Sequence, residues 1–343
     1  MSYRVLIIQT AYLGDVILTL PLVDELRKNL YASAEIHFLA IPAVANVLEN
    51  YPGLDKVILY DKRKKERSLR AFFKKVLWLR KTKYDLVLLP HRSWRSALLA
   101  RWAHIPVRIG FDKSWAAFLY TQIVSYEKKE HEVNRNLRLL QPLGILVPKE
   151  SGLHLQIDES DRQTVETLWR SSGLKKEAAC VAVAPGSVWF TKRWLPDRFA
   201  QLVRELLKEG VQIVVVGGPE DADLGRLLQE VAPSRVANFV GKLTPRQSAE
   251  AIRRCDVLVA NDSAPVHLAS AVGTRVVEIF GPTLPSFGFT PFGVPHRLVE
   301  NKTLACRPCG EHGGSRCPLG TFDCMKSISV VEVLRATEEL LNA

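Results

Sequence analysis

The chain has 343 residues, 47% hydrophobic and 24% charged, with a formal net charge of +11. This balance excludes a mainly disordered chain, and no apolar run approaches the roughly 18 residues of a membrane-crossing helix. The length suits two domains of roughly 150 residues each. In the first half, Arg4 to Gln9, Glu35 to Ala40, Lys56 to Tyr60, Asp85 to Pro90 and Val107 to Phe111 read as strands. Helical patterns run between them at Asp15 to Leu30, Ala43 to Asn50, Glu66 to Lys81 and Trp94 to Ala103. A polar, turn-rich joint is expected from Pro148 to about Leu174. Beyond it, strands at Cys180 to Ala184, Gln212 to Val216, Ala237 to Val240, Val257 to Ala260 and Arg275 to Ile279 alternate with helices at Pro196 to Lys208, Glu220 to Glu230, Thr244 to Arg254 and Pro265 to Ala271.

Such alternation is the pattern of parallel sheets covered by helices on both faces. The expectation is an α/β protein of two Rossmann-like, doubly wound domains, at 1–160 and 175–328, facing a cleft at the carboxyl ends of their strands. A last helix within 329–343 is expected to pack back on the first domain. The opening Met1-Ser2-Tyr3-Arg4 and the short run Val5 to Ile8 lead directly into a pattern with Asp15, Asp24 and Glu25. That is unlike a signal peptide, so a cytoplasmic protein is expected.

The positive charge is concentrated. Between Lys62 and Lys83 stand eleven Lys or Arg and one acid, Glu66, so this segment carries +10 and the remainder is nearly neutral. Leu69, Phe72, Phe73, Val76, Leu77, Trp78 and Leu79 interleave with the cations at helical spacing. A helix of this kind fits an anionic membrane surface, and it also fits a solvated crossover helix packed on the sheet; the two are compatible. No nucleic-acid-binding motif accompanies the charge, and no nucleic acid is expected as partner.

Five loops at predicted strand ends carry the chemistry. In Gln9-Thr10-Ala11-Tyr12-Leu13-Gly14-Asp15, Gly14 permits a tight turn, and Asp15 is either a general base or an acidic residue favouring a helix start. The segment Pro185-Gly186-Ser187-Val188-Trp189-Phe190-Thr191-Lys192-Arg193-Trp194 offers a glycine, two hydroxyls and two adjacent cations, a cradle for a diphosphate. It lacks the spacing of a nucleotide-triphosphate P-loop. Gly217-Gly218-Pro219-Glu220 closes another strand, with Glu220 able to bind ribose hydroxyls or simply to open a helix. Asn261-Asp262-Ser263-Ala264-Pro265-Val266-His267 turns from strand to helix, placing backbone N–H groups and a positive dipole end where a phosphate can sit. Here Asp262 also suits a helix cap, and His267 either a ligand or a satisfied helix-face histidine. Phe280-Gly281-Pro282-Thr283 ends the last clear strand. On the first domain, Arg92 and Arg95 in His91-Arg92-Ser93-Trp94-Arg95 follow a strand end, where they suit an anionic acceptor.

Four late cysteines, Cys306, Cys309, Cys317 and Cys324, follow the spacing C-x2-C-x7-C-x6-C. Zinc ligation and burial as small hydrophobes are both open, and disulfides are disfavoured in a reducing compartment. Cys180 and Cys255, at strand starts, read as core.

Taken together and in order, Leu13-Gly14-Asp15 with Leu20-Pro21, the 185–194 segment, Gly217 to Glu220, Asn261 to His267 and Phe280 to Thr283 resemble glycosyltransferase family 9, the ADP-heptose:lipopolysaccharide heptosyltransferases, nearly end to end. The resemblance is nearest to the heptosyltransferase II branch. It implies a GT-B fold, ADP-L-glycero-β-D-manno-heptose as donor, and the heptose–Kdo–lipid A inner core as acceptor, with the enzyme peripheral at the inner face of the inner membrane. By resemblance Asp15 is the base and Lys192 the cation at the donor diphosphate. Asp262, Ser263, Ala264 and His267 hold phosphates and heptose, and Glu220 lies near the ribose. Gly14, Ser187, Thr191, Gly281 and Thr283 complete the expected donor site, and no cofactor or bound metal is expected. Two rivals are a transferase for another nucleotide sugar and, more remotely, a non-enzymatic protein binding anionic lipid or nucleic acid.

Overall fold

The structure is a computed structural model that describes residues 3–62, 64–148, 151–175 and 177–343. Met1, Ser2, Arg63 of the basic run, and Lys149, Glu150 and Lys176 around the expected joint lie outside the described residues. The chain divides into two units, Met1–Gly152 and Leu153–Ala343.

The first unit runs β1 (Arg4–Ile8), α1 (Leu13–Ile17), α2 (Leu20–Asn29), β2 (Glu35–Ala40), β3 (Lys56–Leu59), α3 (Leu69–Thr82), β4 (Leu86–Leu89), α4 (Trp94–Trp102), β5 (Val107–Phe111), β6 (Gln122–Val124) and α5 (Glu132–Arg138). Among the described residues its strands form one six-stranded sheet, β3-β2-β1-β4-β5-β6, with every pairing parallel. The order follows from burial: Val5, Leu6, Ile7 and Ile8 are apolar on both faces and fully buried, as a central parallel strand requires.

The second unit runs α6 (Glu159–Ser171), β7 (Cys180–Ala184), α7 (Pro196–Lys208), β8 (Gln212–Val215), α8 (Ala222–Gln229), β9 (Val236–Asn238), α9 (Pro245–Arg253), β10 (Val257–Asn261), α10 (Ala264–Val272), β11 (Arg275–Phe280), β12 (His296–Glu300), α11 (Asp323–Lys326) and α12 (Val330–Leu341). Its sheet has the order β12-β11-β10-β7-β8-β9, again parallel throughout. Val181, Val183, Val257, Val259, Val277 and Ile279 turn one face of it onto Phe199, Val203 and Leu206 of α7. The last helix, expected to return to the first domain, buries Val333, Ala336 and Leu340 in this same core.

Several expected elements differ. The helix expected over Asp15 to Leu30 is two, because the Thr19 hydroxyl donates to the Asp15 carbonyl at 2.7 Å and Pro21 opens α2 without an N–H to continue the ladder. Residues 43–50 hold only the short 3-10 turn Pro42–Val47. The helix expected from Glu66 begins at Leu69, where the Ser68 hydroxyl caps it by accepting the Ala71 N–H at 3.2 Å. Inside the expected turn-rich joint lies α6, amphipathic through Val165 and Trp169, with Asp161 paired to Arg246 at 2.7 Å.

The helix within the basic run packs on the first unit by one face and leaves cations and apolar side chains exposed on the other. Phe72, Val76 and Leu79 of α3 are buried on the unit, while Leu69, Phe73 and Leu77 are exposed among the cations. No helix among the described residues is long and apolar enough to cross a membrane.

Candidate functional site

In parallel sheets the loops leaving the carboxyl ends of the strands collect at one edge, and the predicted site residues fall there in each unit. In the second unit the turn after β10 is the organising point. Asn261 is fully buried; its side-chain amide donates to the Pro185 carbonyl at 2.8 Å and its Oδ1 accepts the Trp194 N–H at 2.9 Å. One side chain thus ties down both ends of the 185–194 loop. Trp194, 1% exposed, adds a bond from its indole N–H to the Ile328 carbonyl at 3.1 Å.

The loop so held delivers Lys192 to Asp262. Lys192 Nζ lies 2.7 Å from Asp262 Oδ2, and the same oxygen accepts the Thr283 hydroxyl at 2.5 Å. The lysine and aspartate side chains are only 12% and 9% exposed. An ion pair this dry is costly to form and costly to break on one side alone. Ser263 follows, its hydroxyl turned to the Asn261 and Gly186 carbonyls at 3.1 and 3.4 Å. It therefore does not cap α10, whose first turn begins at Ala264 and Pro265 with no side-chain cap from Ser263. His267 is buried one turn along.

Other predicted donor residues also make contacts within the protein. The Thr191 hydroxyl accepts the Gly314 N–H at 2.8 Å and donates to the Gly314 carbonyl at 3.1 Å, and the residue is buried. It anchors the lysine loop to the cysteine-bearing segment. A Cβ on Gly281 would lie 2.5 Å from the Met325 methyl carbon, so this glycine serves close packing. Ser187 is buried, and its carbonyl accepts from Arg193 Nε at 2.7 Å. Glu220 is exposed, whereas its neighbour Asp221 is buried against Gly186, where a Cβ would stand 2.2 Å from the carboxylate. Burial raises the Asp221 pKa, against the lowering effect of the Gly218 N–H; sequence reasoning passed over this residue.

The late cysteines line the same support. Cys309 donates its N–H to the Pro282 carbonyl at 2.9 Å, Arg307 reaches the Thr283 carbonyl at 2.7 Å, and Phe190 stacks on Phe322 at 5.5 Å. Cys306 and Cys309 are exposed and Cys324 buried, its thiol pushed up to about 11 chiefly by burial. Among the described residues no three His, Cys, Asp or Glu stand as a group able to hold a metal ion. Cys180 and Cys255 are buried with their sulfurs 3.3 Å apart.

In the first unit Gly14 is buried within α1, and Asp15, half-buried, accepts the Tyr12 N–H at 3.1 Å. Both readings of Asp15 are compatible with that geometry, since one carboxylate oxygen steadies the helix start. Behind it lies Glu132, buried, bonded to Arg135 at 2.7 Å and to the Tyr126 hydroxyl at 3.2 Å. Burial lifts the Glu132 pKa first, Arg135 opposes, and the charge of Asp15 lifts it further.

Arg92 lies over the Tyr126 ring at 4.3 Å, and Arg135 is 4.5 Å from the same ring. Arg95 is committed elsewhere: Nε donates to the Tyr60 hydroxyl at 2.8 Å, and Nη2 to the carbonyls of Glu66 and Arg67 at 3.1 and 3.3 Å. It holds the 60–67 loop. That loop supplies Lys62, whose Nζ donates to the Thr10 hydroxyl at 2.8 Å, and Thr10 is 3.1 Å from His91 Nδ1. In the sequence Thr10 reads only as part of its loop and Lys62 only as part of the basic run, neither with a role of its own; the one signal for Thr10 is its position at the end of the central strand.

Residues 70–316 match the profile of Glycosyltransferase family 9 (heptosyltransferase). A lipopolysaccharide heptosyltransferase 3 of Escherichia coli is 27% identical over 289 residues, 79% of this chain and 81% of that one. Among solved structures, the glycosyl transferase family 9 from Veillonella parvula DSM 2008 has a TM-score of 0.88 at 25% identity, covering 100% of this chain and 98% of the other. The E. coli ADP-heptose LPS heptosyltransferase II gives a TM-score of 0.77 at 23% identity over 99% of this chain and 98% of that one. The two doubly wound sheets are those of the GT-B fold.

Proposed function

This chain belongs to glycosyltransferase family 9, the heptosyltransferases, and we propose that it moves heptose from ADP-L-glycero-β-D-manno-heptose to the heptose–Kdo–lipid A inner core of lipopolysaccharide. The observation that carries the donor side is the nearly buried array of Lys192, Asp262 and Thr283 at the uncapped start of α10. A diphosphate offers Lys192 a second anionic partner and accepts from the helix start, so charge that develops on departing ADP meets groups already in place. The name of the related E. coli enzyme carries both ADP-heptose and lipopolysaccharide.

On this reading the reaction is one inverting displacement. Asp15 takes the proton of the acceptor hydroxyl, the oxygen attacks the anomeric carbon, and ADP leaves toward Lys192 and the residues from Ser263 to His267. Glu220, exposed beside the Gly217-Gly218 turn, contacts the ribose. Arg92 meets an inner-core phosphate or Kdo carboxylate, while Arg95 acts only through the loop it holds. Lys192 and the helix dipole supply the countercharge, so the proposal contains no metal.

The acceptor is a lipid, and α3 supports a peripheral contact with an anionic bilayer: Leu69, Phe73 and Leu77 are exposed among Arg67, Arg70, Lys74 and Lys81. The deciding experiment is incubation with ADP-heptose and a heptose-bearing inner-core acceptor, read by mass spectrometry. Gain of one heptose unit is the expected result. No gain, together with thermal stabilisation by a UDP- or GDP-sugar and none by ADP-heptose, would assign another donor.

A further inference from the structure

Glu278 is a carboxylate in the middle of the apolar strand Arg275–Phe280, paired in register with Ala260 on one side and Leu298 on the other. It is fully buried, and neither carboxyl oxygen has a hydrogen-bond partner. Its strand neighbours Val277 and Ile279 face the core under α7 and α12, so Glu278 points to the opposite face, the side of Ala260. The next residue, Ile279, accepts the Asp262 N–H on its carbonyl at 3.2 Å, which ties this part of the strand to the Asp262 turn. A buried polar side chain left unsatisfied is expensive, and a structure retains one where it serves the site.

We propose that Glu278 is a positioning residue for the donor diphosphate: a fully buried side chain, next along the strand to the Ile279 carbonyl that receives the Asp262 N–H, it keeps the seat of Lys192, Asp262 and Thr283 electrically neutral and so lets Lys192 pass from Asp262 to the phosphate. The inference rests on the donor reading given above. Burial without a hydrogen bond disfavours the ionised form, and the negative charge of Asp262 disfavours it further, outweighing the attraction of Lys192. With Glu278 neutral, the charges of Lys192 and Asp262 cancel. With Glu278 ionised the seat is net negative, repels the diphosphate and holds the lysine back. The other ionisable groups on the elements packed around it are His267 on α10 and, on β12, His296, Arg297 and Glu300. His296 Nδ1 is bonded to the Val294 carbonyl, Arg297 to Glu339 and Glu300 to Arg307. The strand β10 carries none.

Two measurements on the full chain test this role, comparing wild type with Glu278→Gln and with Glu278→Leu, which fills the space without a carboxyl. The first is thermal stability without ligand. Because the folded pKa of Glu278 is raised, its contribution is intact at acid pH and is lost as pH climbs from the ordinary glutamate range toward the folded value. Both variants are therefore expected to match wild type near about pH 5 and to exceed it by a few degrees near about pH 8. A difference that does not change with pH overturns the proposal.

The second measurement is ADP affinity by calorimetry. Wild type is expected to weaken about tenfold as rising pH ionises Glu278, and Glu278→Gln to stay level over the same series. Parallel profiles assign the titration to His267 or another group and overturn the role of Glu278. Absence of ADP binding by wild type at every pH is a different result, which removes the donor reading and this role with it.

Discussion

The two strand-end clusters are built on opposite plans. At the end of the second sheet the polar groups are dry and mutually satisfied: Asn261 clamps a loop at both ends, and Lys192, Asp262 and Thr283 converge on one oxygen. At the end of the first sheet the cations lie on aromatic rings and loop carbonyls, as Arg92 does on Tyr126 and Arg95 on Tyr60, Glu66 and Arg67. A preformed seat suits a small ligand of fixed shape, since little ordering remains to be done on binding. Cations over ring faces suit a larger anionic partner that meets the surface in more than one way. On the proposed reading, donor selectivity is carried by hydrogen bonds and acceptor capture by charge.

Breaking that contrast at its ends gives the largest effects. Asp15→Ala is expected to lower kcat by about 10²–10⁴-fold while ADP-heptose still binds, measured by turnover and calorimetry side by side. Activity within a few-fold of wild type would place the base elsewhere. Lys192→Ala is expected to cost about 10²-fold in kcat/KM, because Asp262 is left nearly buried without its cation and the diphosphate without its countercharge. An effect on acceptor KM alone would contradict the donor seat.

Asn261→Ala sharpens the comparison, for it touches no ligand in this reading. Removing two buried bonds is expected to destabilise the protein by about 2–4 kcal/mol in denaturant titration and to raise donor KM through the loosened 185–194 loop. The smallest effects fall in the first unit. Replacing Arg92 and Arg95 together by Ala should raise acceptor KM about tenfold with donor KM little changed. Taken singly, Arg92→Ala should carry the KM effect, and Arg95→Ala a stability loss of about 1–2 kcal/mol from the freed 60–67 loop. If the single variants exchange these outcomes, the positions of the two arginines have been misread.

The central strands of both sheets were legible because a central parallel strand must be apolar on both faces, and Val5 to Ile8 or Val257 to Ala260 have no other use; the edge strand β12, half exposed, was not read. The turn chemistry was legible for the same local reason: Asn261, Asp262 and Ser263 stand between such a strand and a helix. What stayed hidden depends on partners distant along the chain. Thr191 reads as a ligand hydroxyl until Gly314 is seen on it, and Arg95 reads as a free cation until the 60–67 loop is seen beneath it. The short β6 and α5 carry too few residues for periodicity to show, and α6 was masked by a polar outer face that resembles a linker. Glu278 could have been noticed, since an acid inside a run that otherwise reads as buried strand has to be accounted for.

The bond between Thr191 and Gly314 spans 123 residues. Contacts so distant in sequence close late in folding, and during synthesis they must wait until the far partner has left the ribosome. The lysine loop therefore acquires its final anchor only when most of the polypeptide has emerged. A nascent or truncated chain ending before residue 314 lacks this brace on the lysine loop.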